Sequence, residues 1–146
     1  MTHPRTRLRA AAVARLTGLT TTGPRVFVDR EYTQQPTELP CLHLSVSESA
    51  QFVAYPAIYA RQITLRVRAL ARVTASMSDT LDRIALEVET ALGLGLSVGA
   101  TAPLRHSGMS ADDPDVDTGT DQPVGEQILH FQYTMHTEGT APGVPI

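Results

Sequence analysis

The residues of this chain whose types could do chemistry are five histidines, one cysteine, a series of alternating aspartates and a glycine-rich run. His3, His43, His106, His130 and His136 form no short ligand motif, and His130 and His136 lie too far apart along one strand to chelate a metal without a third group from elsewhere. Asp113, Asp115 and Asp117 have the spacing that opens a calcium loop. That motif needs Gly where this chain has Thr118 and Glu where it has Val124, so an acidic loop facing solvent or a partner is the better reading. Cys41 sits in an apolar run with no basic neighbour to lower its pKa, and reads as a small buried side chain. The glycines of residues 93–99 follow a helical pattern, whereas a phosphate-binding loop precedes its helix. Neither a P-loop, G-x-G-x-x-G nor C-x-x-C is present. No catalytic, cofactor-binding or metal-ligating residue is therefore assigned, and no cofactor is expected.

The elements that would position any site are clearer. Residues 61–73, RQITLRVRALARV, alternate strictly. Ile63, Leu65, Val67, Ala69, Ala71 and Val73 share one face, Gln62, Thr64, Arg66, Arg68 and Arg72 share the other, and Leu70 is the exception. Such a strand reaches about 40 Å and projects beyond the body of a small domain. Residues 127–137, QILHFQYTMHT, alternate in the same way, with Leu129, Phe131, Tyr133 and Met135 on one side. Shorter strands are predicted at 25–29 and 41–47, and an ambiguous stretch at 96–110 holds a possible strand near Ala102–Ser110. Two helices complete the pattern. One spans 4–17, with Pro4 early, Leu8, Ala12 and Leu16 at four-residue spacing and Gly18 as a stop; the other spans 79–92, with Ser76–Asp79 offering N-caps and Leu81, Ile84, Val88 and Leu92 as an apolar stripe. Residues 112–125 read as a loop.

Between the strands at 41–47 and 61–73 lies an apolar connection, ESAQFVAYPAIYA, in which Phe52, Val53, Tyr55, Ile58 and Tyr59 stand where a solvated hairpin tip would carry Gly, Asn or Asp. The segment either folds back on its own domain or is an extended hairpin arm whose tip meets another subunit. The expected fold is α+β: a mainly antiparallel mixed sheet of about four or five strands, two helices packed on one face, and a long β-hairpin arm. Residues 1–138 make a single domain and residues 139–146 a flexible C-terminal tail.

Length and composition place 146 residues near the commonest size of one domain, with one core. No apolar run is long enough for a membrane span, and no signal peptide precedes the first helix, which predicts a soluble protein made in the cytoplasm. The net charge of −3 hides an uneven distribution: residues 1–75 carry +6 and residues 76–146 carry −9. Two opposite halves either fold into one mixed surface or direct self-association. All twelve basic residues are arginine, the side chain suited to bidentate interface pairing.

The order and spacing of several phrases resemble the tail terminator, or minor tail protein U-like, family of long-tailed bacteriophages. They are His3-Pro4-Arg5 opening the first helix, Glu38-Leu39-Pro40 leading into a strand and Arg61-Gln62-Ile63-Thr64-Leu65 starting the long one. The helix Asp79-Thr80-Leu81-Asp82-Arg83-Ile84-Ala85 through Val88-Glu89 follows, then Gly125-Glu126 entering a last strand with Phe131 and Tyr133. The resemblance implies a non-enzymatic structural protein of the virion, in the tail-neck region and in the host cytoplasm during assembly. Its members form homo-hexameric rings on the last ring of the tail tube protein, stop tube growth and present a surface to a head-completion or neck protein. The family offers no catalytic residues to carry over. Interface candidates come from the physical reading instead: Phe52, Tyr55, Ile58 and Tyr59 on the arm, Arg66 and Arg68 on the polar sheet face, and Asp113, Asp115 and Asp117 in the acidic loop. The alternatives are another head-tail connector or neck protein, a small ligand-binding or enzymatic α+β domain, and a nucleic-acid module using the arginine face; overall acidity weighs against the last, and no sequence-specific nucleic-acid binding is expected.

Overall fold

The computed structural model describes residues 2–28, 38–54, 58–99, 102–117, 123–138 and 141–145. Helix α1, Pro4–Leu16, starts where Pro4 supplies a helical φ and the His3 side chain accepts the Arg5 main-chain N–H, and it ends as Thr17 turns extended. Pro4, Leu8, Ala12 and Leu16 form its buried stripe. Helix α2, Met77–Gly93, begins two residues earlier than its pattern predicts. Ser76 precedes it without a side-chain cap bond, Asp79 complements the dipole in the first turn, and Leu81, Ile84, Val88, Ala91 and Leu92 face inward.

The strands are β1, Val26–Val28; β2, Cys41–Ala54; β3, Ile58–Arg72; β4, Gly108–Ala111; β5, Asp115–Asp117; β6, Val124–Glu138; and β7, Ala141–Pro145. They make one seven-stranded sheet in the order β1-β2-β3-β6-β4, with β5 and β7 also on β6. Only the β1–β2 pair is parallel; the others are antiparallel. The α+β class with a mixed, mainly antiparallel sheet is as expected, and the sheet has more strands than the pattern predicts. β3 is its spine. It pairs with β2 on one side and along its whole length, Ile58 to Arg72, with β6 on the other.

Helix α1 contacts β2 and helix α2 contacts β3 and β6. The core lies between them and the sheet face that carries Leu42 and Leu44 of β2, Ile63, Leu65 and Val67 of β3, and Leu129, Phe131 and Tyr133 of β6, all essentially inaccessible. Each such side chain contributes about 1.5–3 kcal/mol through burial. Leu70, the residue that breaks the alternation of β3, has a reason to be apolar: with Cys41 and Val124 it forms a small second core on the opposite face, packed by Phe27 and Leu39.

Five expectations change. β2 runs to Ala54, because Glu48 and Ala50 occupy core-side positions that look polar or neutral in sequence. The β2–β3 hairpin is therefore long, but it is no free two-stranded ribbon, since β6 lines β3 to its end. Ala141–Pro145, read as a flexible tail, pairs with Thr137 and Glu138 as β7. In the ambiguous stretch the strand is at Gly108–Ala111 with a Leu96–Leu104 bridge before it, and β5 interrupts the acidic loop.

Candidate assembly interface

Where the helix layer stops, the sheet continues. The buried positions of β2 end at Leu44, and Ser49 to Val53 are all exposed. At the transition the core-side face carries a buried ionic cluster instead of hydrocarbon. Arg61 of β3 donates from Nη1 to Glu48 Oε1 at 2.5 Å and from Nε to Thr137 Oγ1 at 2.7 Å, joining the three long strands in two bonds. Glu48 Oε2 lies 3.5 Å from Arg5 Nε of α1. His3 Nδ1 is 3.9 Å from the same oxygen, but it accepts the Arg5 N–H and so carries no proton toward the carboxylate. Through the Glu48–Arg5 ion pair the cluster links the hairpin to α1.

Beyond it Phe52 pairs with Tyr59 across the strands, rings edge to face at 6.0 Å between centroids. A β-bulge follows between Phe52 and Ala54. Phe52 is 55% exposed and Val53 50%, whereas Tyr59 and Ile58 are half-buried. Tyr59 shares the core-side face with Phe52, and Ile58 lies on the opposite face, so the end of the hairpin is apolar on both sides. Tyr55, the remaining arm candidate, lies outside the described residues.

The other sheet face is polar. Its rows run Ser45, Arg66, His130, Ser110 and Ser47, Thr64, Gln132, Gly108 across four strands. Arg66 is exposed and makes no ion pair among the described residues. Arg68 is different: its guanidinium bonds the Glu126 carboxylate of β6, a partner within the same chain. Asp112 approaches His130 at 3.3 Å. Asp113 and Asp115 are exposed in the turn into β5 and on that strand, and Asp117 ends it.

The nine candidates thus do not form one patch. Phe52, Ile58 and Tyr59 come together at the hairpin end, Arg66 and Arg68 lie on the polar face, and the aspartates lie across the sheet at the opposite edge. The sequence reading left out Val53 and the Glu48–Arg61 pair as site residues. Alternation extended past Ser47 would have placed Glu48 and Arg61 on the core side, where opposite charges in cross-strand positions need each other. Among the described residues no group of three metal-ligating side chains could hold an ion, and no helix is long and apolar enough to cross a membrane. An open groove of about 440 Å³ between α1 and the segment after α2 is lined by Ala11, Ala14, Arg15, Leu96 and Ser97, without the converging polar groups of a ligand site.

No family model and no curated protein matches this chain. Among solved structures, its fold is similar to a chain described as "Virion of native gene transfer agent (GTA) particle", with a TM-score of 0.46 and 18% identity over 90% of this chain and 92% of that one.

Proposed function

We propose that the chain is a structural protein of a phage-type virion that closes into a ring, six-membered as in the tail terminator family its sequence resembles, and caps the end of a tail tube where the head joins. The observation that carries this reading is the hairpin of β2 and β3. It runs past the helix layer on an ionic base and carries Phe52 and Val53, both half exposed and apolar, toward its end. A monomer gains nothing from holding that surface in water, at about 25 cal/mol for each Å² left unburied. Contact with neighbouring subunits or with the tube end would cover it.

Absolute mass by light scattering across a concentration series, with negative-stain images of any large species, tests the proposal. Closed rings that reach hexamer mass are expected, and Phe52→Ser with Val53→Ser should abolish them while leaving the melting temperature unchanged. A protein that neither forms rings nor caps polymerising tail tubes when added to them would overturn it.

A further inference from the structure

Among the described residues, β2 has an open edge. Its Leu42 N–H donates outward, to the Arg25 carbonyl at the entry to β1, at 3.0 Å. Main-chain groups alternate along a strand, so those of Val46, Glu48 and Ala50 point to the same outer side, whereas those of Ser45, Ser47 and Ser49 point to β3. β1 covers only Leu42–Leu44, and among the described residues no strand pairs with β2 from Ser45 to Ala54 on that side. This segment holds no Pro, Lys or Arg to block pairing; its one charge, Glu48, is turned inward onto Arg61, and a β-bulge interrupts it only at its end, between Phe52 and Ala54. At the far side of the sheet, β4 and β5 pair with β6 alone.

The two edges match in polarity and in charge. β2 is antiparallel to β3, β3 to β6 and β6 to β4, so β2 and β4 run in opposite directions. A second copy set beside the first in the same orientation would therefore meet β2 with an antiparallel β4. Helix α1, which packs on β2, carries Arg5, Arg7, Arg9 and Arg15 and no acid, while residues 108–117 carry Asp112, Asp113, Asp115 and Asp117 and no base. Joining the edges places the arginine side of one copy against the aspartate side of the next.

We propose that the open edge of β2, residues 45–54, pairs with the β4–β5 edge of a second copy of this chain, extending the sheet from subunit to subunit by strand addition. The contact is head-to-tail, with different surfaces on the two sides, and so repeats around a ring or along a filament. This inference rests on the self-association reading above and specifies its interface.

The test uses two variants that disable opposite edges. Ala50→Pro removes one outward N–H without touching the β2–β3 ladder, and Asp113→Arg with Asp115→Arg reverses charge at exposed positions of the other edge. Light scattering should show each variant monomeric with an unchanged circular dichroism spectrum. An equimolar mixture retains one intact edge from each protein and should give a dimer of twice the monomer mass. Ala50→Pro assembling like the unmodified protein, or a mixture that stays monomeric, would overturn the strand pairing while leaving rings formed by the unmodified protein in place. Open filaments from the unmodified protein, blocked by both variants, would support the edge contact and sink the closed ring. Should Ala50→Pro fail to fold, the aspartate variant decides alone, and its normal assembly would overturn the pairing.

Discussion

Arg61 of β3 and Glu48 of β2, diagonal neighbours on the core-side face, bond at 2.5 Å, each with only about a tenth of its side chain exposed (11% and 9%). Pairing two charges there is not a large gain over hydrocarbon, because desolvation offsets much of the attraction. Its consequence is positional: the guanidinium has one geometry that satisfies both Glu48 and Thr137, so the hairpin leaves the domain at one angle.

Breaking that pair on one side only should be costly. Glu48→Ala leaves the Arg61 guanidinium buried with Thr137 as its remaining bonded partner, and is expected to lose about 3 kcal/mol of stability. Replacing both, Glu48→Leu with Arg61→Met, should restore most of it. Urea denaturation of Glu48→Leu, Arg61→Met and the double variant measures the coupling; additive losses would show that the charges act independently.

Tyr133 makes stability fall in alkali. Its hydroxyl is buried without a hydrogen-bond partner among the described residues, and burial raises its pKa from 10.0 to about 12. The unfolded chain gives up the phenolic proton first, near pH 10, so the contribution of the neutral phenol is complete below pH 10 and is lost as pH rises toward 12. The loss amounts to roughly 2–3 kcal/mol at the upper end. Tyr133→Phe should be neutral or slightly stabilising at pH 7, since no bond is given up, and should flatten the alkaline limb. Unfolding free energies from pH 8 to 12 for both proteins decide it, and identical slopes would rule out Tyr133 as the cause.

The turn after α2 depends on glycine at one position. Gly95 has φ +86°, and a Cβ there would stand 2.6 Å from the Pro103 Cβ. Leu96 and Leu104 exchange two main-chain bonds of 2.8 Å beside it, so the 102–104 segment has little room to withdraw. Gly95→Ala is expected to cost about 2 kcal/mol. Gly93→Ala, at the helix end with open space around it, should be neutral or stabilising by about 0.5 kcal/mol. Equal effects at the two sites in thermal melts would remove the packing argument.

The spine of the fold was legible because β3 and β6 bury one face each: their inward residues repeat every second position, and α2 repeats its own at helical spacing. What escaped depends on partners distant in sequence. Glu48 looks like a solvent residue until Arg61 is placed diagonally across from it on β3, and this shortened β2 in the reading by seven residues. β7, with two prolines and a glycine, has no strand signal and exists through two pairings to the end of β6. Of the candidate surface, the apolar hairpin was visible from composition. The β2 edge, unpaired among the described residues from Ser45 onward, was not, because an edge is a property of neighbours.

Arg66 and Arg68 separate surface recognition from internal support. They lie two residues apart on one face, yet Arg68 is bonded to Glu126 while Arg66 is exposed and makes no ion pair among the described residues. Arg68→Glu should therefore lower the stability of the monomer by about 1 kcal/mol or more, through loss of the pair and repulsion from Glu126. Arg66→Glu should leave it within about 0.5 kcal/mol. If the polar sheet face meets a partner in the assembled state, Arg66→Glu will weaken assembly in light scattering without moving the melting temperature. Unchanged assembly in that variant, alongside a destabilised Arg68→Glu, would assign this face to solvent and leave the hairpin end and the sheet edges as the surfaces that join subunits.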